Sequence, residues 1–197
     1  MLQALNQTVS LFIQQIKLNW PWFLHGLSLL WGLHFFNLLM GRRLCWLGIH
    51  PRSVFGLPGL VFSPLIHVDF GHLIMNSVGI LVLGNLFAMQ GVLHVLNIAI
   101  CAGILGGALV WLFGRNVIHV GASGVVMGLA GALCVVAYEQ SSVYAWFLAG
   151  LLFYFFEHLA INLVPGEPGT SWEGHLFGFL AGGVAEHFHW QVLQMFS

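Results

Sequence analysis

Long apolar runs separated by short polar stretches make up most of the chain. Each run is long enough, or nearly so, to cross the hydrocarbon core of a bilayer as an α-helix, which takes about 20 residues. The six runs occupy residues 20–40, 69–89, 92–113, 123–138, 143–164 and 174–188. The pattern predicts an all-α polytopic membrane protein with six transmembrane helices and both termini on one side of the bilayer.

Three segments do not follow this pattern. Residues 1–19 mix apolar and polar side chains, and we expect a short interfacial leader of a turn or two. Residues 44–66 contain three prolines and three glycines but remain largely apolar. Because bare irregular backbone is not tolerated in hydrocarbon, we expect this first loop to be embedded in the interface or buried against protein. Residues 191–197 form a C-terminal tail, which leaves 20–190 as a single transmembrane domain.

Composition supports a lipid environment. Of the 197 residues, 59% are hydrophobic and 6% are charged, and the mean hydropathy is +0.91. A soluble domain of this size could not bury so much apolar surface. The net charge of −1 with five Lys and Arg leaves no basic patch, so no nucleic-acid partner is expected. The three cysteines are scattered, and we expect no metal site and no cofactor.

The fourth run opens on Gly121-Ala-Ser123-Gly124. The first turn of a helix offers free N–H groups and the positive end of the dipole, an environment that suits a nucleophile. Residues 123–138 span about 24 Å as a helix, less than the hydrocarbon core of about 30 Å, so Ser123 lies below one membrane surface. The alternative is that Ser123 is an N-cap beside glycines that permit helix contact.

Partners for Ser123 stand at the start of two other runs. His72 and Asn76 are four residues apart on one helix face, and His175 lies in the first turn of the sixth run. The second, fourth and sixth runs begin on the same side, because an even number of crossings separates them. An imidazole beside a hydroxyl could act as a general base, and imidazole and carboxamide groups could serve as oxyanion donors.

Glycine spacing predicts how the fourth and sixth runs meet. Small residues repeated every four positions let two helix backbones approach closely in lipid. Such ridges are formed by Gly124 and Gly128 on one run and by Gly174, Gly178 and Gly182 on the other. We expect the two helices to pack closely enough to bring the hydroxyl and the imidazole within hydrogen-bond reach.

These strings, in this order, resemble the rhomboid family of intramembrane serine proteases. The resemblance covers the second to sixth runs and rests on His67 followed by His72 and Asn76, on Gly-Ala-Ser123-Gly, and on Gly-His175-Leu-Phe-Gly178. It implies a six-transmembrane-helix rhomboid bundle with an embedded first loop.

The resemblance also implies a catalytic dyad without a third acidic member. Ser123 would attack the scissile carbonyl, and His175 would take up its proton and return it to the leaving amine. The oxyanion would be held by the Ser123 N–H and by the side chains of His72 and Asn76. Supporting positions near the site would be His67, Gly121, Gly124, Met127 and Gly178.

Transmembrane protein substrates and the lipid bilayer are the partners that this family implies. The fifth span and the loop at 165–172 would form the gate and cap through which a substrate enters. Substrates would carry a small residue at the cut and helix-weakening residues beyond it, because a helix hides its carbonyls in its own hydrogen bonds. The oligomeric state does not follow from the sequence.

The chain departs from the family pattern at two places. Its first loop lacks the Trp-Arg pair of many members and is similar to that of a compact bacterial subgroup. Met127 stands where many members place an aromatic ring against the catalytic histidine, and we expect its sulfur to pack on the ring of His175.

Family resemblance and charge disagree on orientation. The family implies a bacterial inner membrane protein with cytoplasmic termini and a site that opens to the extracytoplasmic side. The excess of arginines on the site side, against Lys17 alone on the N-terminal side, predicts the reverse by the positive-inside rule. We follow the family, because arginines in an embedded loop can be structural anchors.

Two other classes of protein remain as alternatives. One is an inactive rhomboid-like binder of membrane proteins, although such relatives usually lose the serine or the histidine. The other is a haem or metal carrier that uses some of the eleven histidines, although no facing pair of histidines is evident. Glu157 and His158 would pair with another helix or act in gating. His119 would belong to the cap loop or shape the mouth of the site, and we favour the cap loop.

Overall fold

The computed structural model describes residues 2–139, 142–143, 145–147, 150, 154, 163–164 and 171–195. Within these ranges the regular secondary structure is helical, and turns, irregular segments and one isolated backbone bridge between Ile49 and His119 connect the helices. The helices are α1 (Leu2–Leu39), α2 (Gly59–Phe62), α3 (Phe70–Phe87), α4 (Val92–Cys101), α5 (Gly107–Phe113), α6 (Ser123–Glu139) and α7 (Trp172–Met195). A π-helical turn, Ala102–Gly106, joins α4 to α5.

Among the described residues, three helical stretches are long and apolar enough to cross a membrane: Val9–Leu39, Phe70–Phe87 and Val92–Phe113. Ser123–Glu139 is a shorter apolar helix, as its sequence predicts. Most of the predicted fifth span, including Glu157 and His158, and most of the cap loop lie outside the described residues. The all-helical membrane fold is therefore confirmed, whereas the count of six spans stays a prediction.

The N-terminal leader differs from its prediction. Helix α1 begins at Leu2 and continues through Pro21 without a break, so residues 2–19 belong to one long helix with the first predicted span and are not a separate turn or two. The side chain of Asn19 donates to the Ala88 carbonyl at 3.3 Å, and His25 Nδ1 lies 2.6 Å from the Pro21 carbonyl. Helix α7 also extends beyond its predicted end at residue 188.

Helix α6 lies at the centre of the bundle. Most of its side chains are buried, and it packs against α3, α4 and α7. Its contact with α7 is the most extensive between any two described elements. A Cβ on Gly128 would lie 3.2 Å from the Gly178 carbonyl oxygen, and a Cβ on Gly178 would overlap the backbone of Gly124. The predicted close approach of two glycine ridges is confirmed.

The first loop wraps one end of this core with short 3₁₀ turns and α2. Its glycines face inward, since a Cβ on Gly59 would overlap the Gly48 backbone, and its apolar side chains Trp46, Val54 and Phe55 are exposed. An apolar outer face of this kind agrees with the expected location of the loop in the membrane interface.

Candidate active site

A cavity of about 830 Å³ lies between the starts of α3, α6 and α7 and the segment 115–120. Five of the residues that the sequence singles out line this one cavity: His72, Asn76, Ser123, Met127 and His175. They are spread over more than 100 positions of the sequence, so only the packing of three helices brings them together. The side chains of the expected nucleophile, base and oxyanion donors thus share one space.

Ser123 is the first residue of α6. The first helical hydrogen bond runs from the Val126 N–H to the Ala122 carbonyl at 3.0 Å, so Ala122 occupies the N-cap position and Ser123 follows it. The half-buried Ser123 hydroxyl therefore does not stand at the cap, which disfavours the alternative that this serine serves only as an N-cap. Its position in the first helical turn places it beside free N–H groups.

His175 lies in the first turn of α7, where its N–H donates to the Ser171 carbonyl at 3.2 Å. Ser171 caps this helix, because its Oγ accepts from the Gly174 N–H at 3.3 Å. The two helix starts are in contact, since a Cβ on Gly124 would lie 3.1 Å from the Gly174 carbonyl oxygen. Ser123 and His175 are thus the immediate neighbours of the point where α6 meets α7.

His72 lies against a glycine of the motif before α6. Gly121 has a φ of +116°, a conformation that favours glycine, and its N–H donates to the Ser63 carbonyl at 2.8 Å. A Cβ at this position would overlap the His72 imidazole. Asp69 caps α3 by accepting from the His72 N–H at 2.8 Å. Gly121 therefore makes room for a ring that reaches the cavity wall.

Asn76, one turn further along α3, is 4% exposed. Its Nδ2 atom is buried and has no hydrogen-bond partner among the described residues. Since a buried amide donor normally finds a partner, an unpaired one in a cavity wall indicates a group held ready for a ligand oxygen.

His67 supports the backbone just before Ser123. The ring is fully buried, lies edge to face with His72 at 5.3 Å, and has its Nε2 3.4 Å from the Ala122 N. Burial, together with the nearby His72 and His34, lowers the pKa of His67 to about 4. The ring is therefore neutral at pH 7, and its Nε2 can accept a hydrogen bond from the Ala122 N–H.

The remaining supporting positions act through packing. Met127 is buried and lines the same cavity as His175, while Gly124 and Gly178 form part of the contact between α6 and α7. A second cavity of about 40 Å³ also borders Ser123 and is lined by Ser63, His119 and Ser171, the last two of which line the larger cavity as well.

Sequence reasoning missed three residues at the edge of the cavity: Arg115, Ser171 and Glu173. Arg115 pairs with Glu173 through its Nε and through Nη2, which lies 3.0 Å from Oε2, and its own N–H donates to the same carboxylate at 3.2 Å. Glu173 is 2% exposed. A carboxylate two residues before His175 in a chain with only 6% charged residues was the available signal.

The described helices, with a cavity between their starts, define a helical membrane protein. A model of the Rhomboid domain matches residues 55–191, more than half of the chain, and the chain therefore belongs to the rhomboid family.

Individual relatives are similar over much of the chain. An uncharacterized protein of Mycobacterium tuberculosis is 31% identical over 169 residues, which cover 81% of this chain and 70% of that protein. An uncharacterized protein of Mycobacterium leprae is 30% identical over 139 residues, which cover 66% and 55%. RHOMBOID-like protein 6, mitochondrial, of Arabidopsis thaliana is 32% identical over 125 residues, which cover 62% and 40%.

Proposed function

We propose that the chain is an intramembrane serine endopeptidase that hydrolyses a peptide bond in or near the transmembrane segment of a membrane protein. The observation that carries this proposal is the shared cavity, in which a hydroxyl at a helix start and an imidazole at a second helix start face an unpaired amide donor. This combination supplies the parts that acyl transfer requires.

In the first half of the reaction, Ser123 Oγ attacks the scissile carbonyl carbon while His175 removes the hydroxyl proton. The carbonyl oxygen becomes an oxyanion, which the Ser123 N–H, the His72 ring and Asn76 Nδ2 stabilise. His175 then gives its proton to the leaving amine, the C–N bond breaks, and the N-terminal part of the substrate remains as an ester on Ser123.

In the second half, water attacks the ester carbonyl while His175 again acts as the base. Collapse of the second tetrahedral intermediate returns the proton to Ser123 and releases a carboxylate product. The fold holds the oxyanion donors in place: the neutral ring of His67 supports Ala122 just before the Ser123 N–H, and the Asp69 cap fixes the start of α3, which carries His72 and Asn76.

A cleavage assay in proteoliposomes with a single-span substrate tests the proposal. Ser123→Ala and His175→Ala are each expected to abolish product while the protein keeps its helical content and thermal unfolding temperature. Ser10→Ala and His25→Ala, two exposed positions on α1, are the matched controls and should cut like the wild type. A fluorophosphonate probe should label Ser123, and the label should be lost in the His175 variant.

The same assay separates the two rhomboid alternatives. Equal cutting by the Ser123 variant would remove the proposed nucleophile. A wild-type chain that retains the substrate in a pull-down but yields no product would instead indicate the inactive rhomboid-like binder. We also propose that the chain lies in a bacterial inner membrane with both termini in the cytoplasm. A reporter enzyme that works only outside the cytoplasm, fused after Ser197, tests this orientation. Activity of that reporter would contradict it.

A further inference from the structure

His119 is held on every side by polar contacts. Its backbone exchanges two hydrogen bonds with Ile49, at 2.9 Å and 3.0 Å, and the residue is 5% exposed. Its ring contacts two partners: Nε2 lies 3.1 Å from the Arg115 carbonyl oxygen, and Nδ1 lies 2.6 Å from Ser171 Oγ. The ring therefore connects the segment before α6 to the residue that caps α7.

The partners determine the tautomer of this ring. A carbonyl oxygen can only accept, so the proton of His119 resides on Nε2 and is donated to Arg115. Nδ1 is then unprotonated and accepts a hydrogen bond from the Ser171 hydroxyl. Burial lowers the pKa of His119, which agrees with the neutral ring that this arrangement needs.

Ser171 carries the connection to the proposed base. Its Oγ accepts from the Gly174 N–H and its carbonyl accepts from the His175 N–H, so both of its oxygens hold the first turn of α7. The hydrogen bonds thus form a continuous chain from Arg115 through His119 and Ser171 to the backbone of His175. The Arg115–Glu173 ion pair ties the same two segments together a second time.

The glycine contact between α6 and α7 explains why such a tie is needed. Helices normally fix their relative position by fitting side-chain ridges into grooves. The facing glycines have no side chains to interlock, so they permit close approach but resist sliding along the axis only weakly. Ser123 follows His119 by four residues, and His175 follows Ser171 by four. A hydrogen bond between His119 and Ser171 therefore aligns the starts of α6 and α7 along the helix axis.

We propose that His119, acting through Ser171, is a positioning residue that holds His175 at the distance from Ser123 at which proton transfer occurs. This proposal rests on the proposed function, since it concerns the same dyad. Because a displacement of about 1 Å can cost about 10²-fold in rate, a side chain that takes no part in the bond changes can control turnover.

Two substitutions separate the contacts of the ring. In His119→Asn the side-chain oxygen takes the place of Nδ1 and can still accept from Ser171, whereas the contact with Arg115 is lost. In His119→Gln the side-chain amide takes the place of Nε2 and can still donate to Arg115, whereas the contact with Ser171 is lost. The two variants are close in size and polarity, so each is the control for the other.

The expected result is a selective fall in kcat. His119→Gln should lower kcat by ~10–10²-fold with KM unchanged, slow the labelling of Ser123 by a fluorophosphonate to the same degree, and speed amide hydrogen exchange at residues 171–175. His119→Asn should stay within ~3-fold of the wild type, because it keeps the bond that matters. Ser171→Thr, which keeps the hydroxyl, should likewise rescue the loss seen in Ser171→Gly.

Other outcomes overturn the proposal in distinguishable ways. If the wild type cuts and the two His119 variants have equal kcat, the bond to Ser171 does not position His175, and this proposal alone fails. The proposal also fails if His119→Gln has a lower thermal unfolding temperature and regains wild-type kcat when it and the wild type are assayed well below that temperature. If the wild type does not cut, the proposed function fails and this proposal fails with it.

Discussion

The imidazole of His72 occupies the space in which a Cβ on Gly121 would lie. This contact joins the start of α3 to the residues just before Ser123. Gly121→Ala is expected to force the ring aside and to strain the backbone, whose φ of +116° costs an L-residue about 1–3 kcal/mol. Since one oxyanion donor would be displaced, kcat should fall by ~10²-fold.

Steady-state kinetics in proteoliposomes would measure the effect of Gly121→Ala. Gly32→Ala on α1 is the matched control, because a Cβ there meets nothing within 4 Å, and it should leave kcat unchanged. A Gly121→Ala enzyme with normal kcat would show that the position of the His72 ring does not matter for the reaction.

Asn76→Ala should also reduce kcat by ~10²-fold, since it removes a buried donor that has no partner among the described residues. The truncation leaves no polar group unpaired in the protein, so the thermal unfolding temperature should not fall with the activity. Turnover and unfolding measured on the same preparation check both parts. A large loss of stability with unchanged kcat at low temperature would assign Asn76 to folding instead of oxyanion binding.

Two adjacent glycines of α7 should respond in opposite ways to alanine. A Cβ on Gly182 would overlap the backbone of Gly128, whereas a Cβ on Gly183 would meet its nearest neighbour at 3.5 Å, an ordinary contact. Gly182→Ala should destabilise the chain by about 1–3 kcal/mol through overpacking. Gly183→Ala should be neutral or should stabilise the helix by up to about 1 kcal/mol. Unfolding in mixed micelles measures both, and equal effects would contradict the packing of α6 on α7.

Stability should depend on pH through His67. Its pKa is about 4 in the folded chain against 6.5 for an unperturbed histidine. Between these values the unfolded chain binds a proton that the folded chain does not, so the free energy of unfolding falls as the pH is lowered from about 6.5 towards 4. Each pKa unit corresponds to about 1.4 kcal/mol, which makes the loss on the order of 3 kcal/mol.

Unfolding profiles from pH 7.5 to 4.5 would isolate this contribution. His67→Gln keeps an acceptor for the Ala122 N–H but cannot take up a proton, so its profile should be flatter than that of the wild type over this range. Parallel profiles would mean that His67 is not held neutral by the fold.

The two His–Glu pairs at the far end of α7 should differ in strength. His94 Nε2 lies 2.7 Å from Glu186 Oε2, with both side chains buried, whereas His187 and Glu139 pair at 3.3 Å and are partly exposed. Glu186→Ala should cost about 1–3 kcal/mol because it leaves the buried His94 Nε2 without its hydrogen-bond partner. Glu139→Ala should cost at most about 1 kcal/mol. Unfolding free energies in mixed micelles compare them, and similar losses would contradict this difference.

The sequence predicts the helices of this protein better than the side-chain contacts between them. Apolar runs locate α3 and α6 nearly to the residue, because lipid requires continuous apolar helices. Glycines four apart predict the contact of α6 with α7, because that spacing has few other uses in a membrane helix. These two regularities also bring Ser123 and His175 to one cavity.

What the sequence does not reveal are the pairings across long separations. The bond between His119 and Ser171 and the ion pair between Arg115 and Glu173 join residues more than 50 positions apart. No local spacing indicates such partners, since they depend on how the helix starts are arranged in space. The unbroken α1 was missed for another reason: polar residues such as Gln and Lys are good helix formers, so polarity alone does not end a helix.

The π-helical turn at Ala102–Gly106 determines where the helical segment formed by α4 and α5 can lose a residue. Gly106, at the end of the turn, lies against Gly178 of α7. Further along, the carbonyls of Leu112 and Gly114 accept hydrogen bonds from the Arg52 guanidinium. Because the wide turn absorbs one extra residue, a deletion within it would restore ordinary helical winding and leave α5 close to its present orientation. A deletion within α4 would instead rotate α5 by about 100° and present the wrong surface to both neighbours.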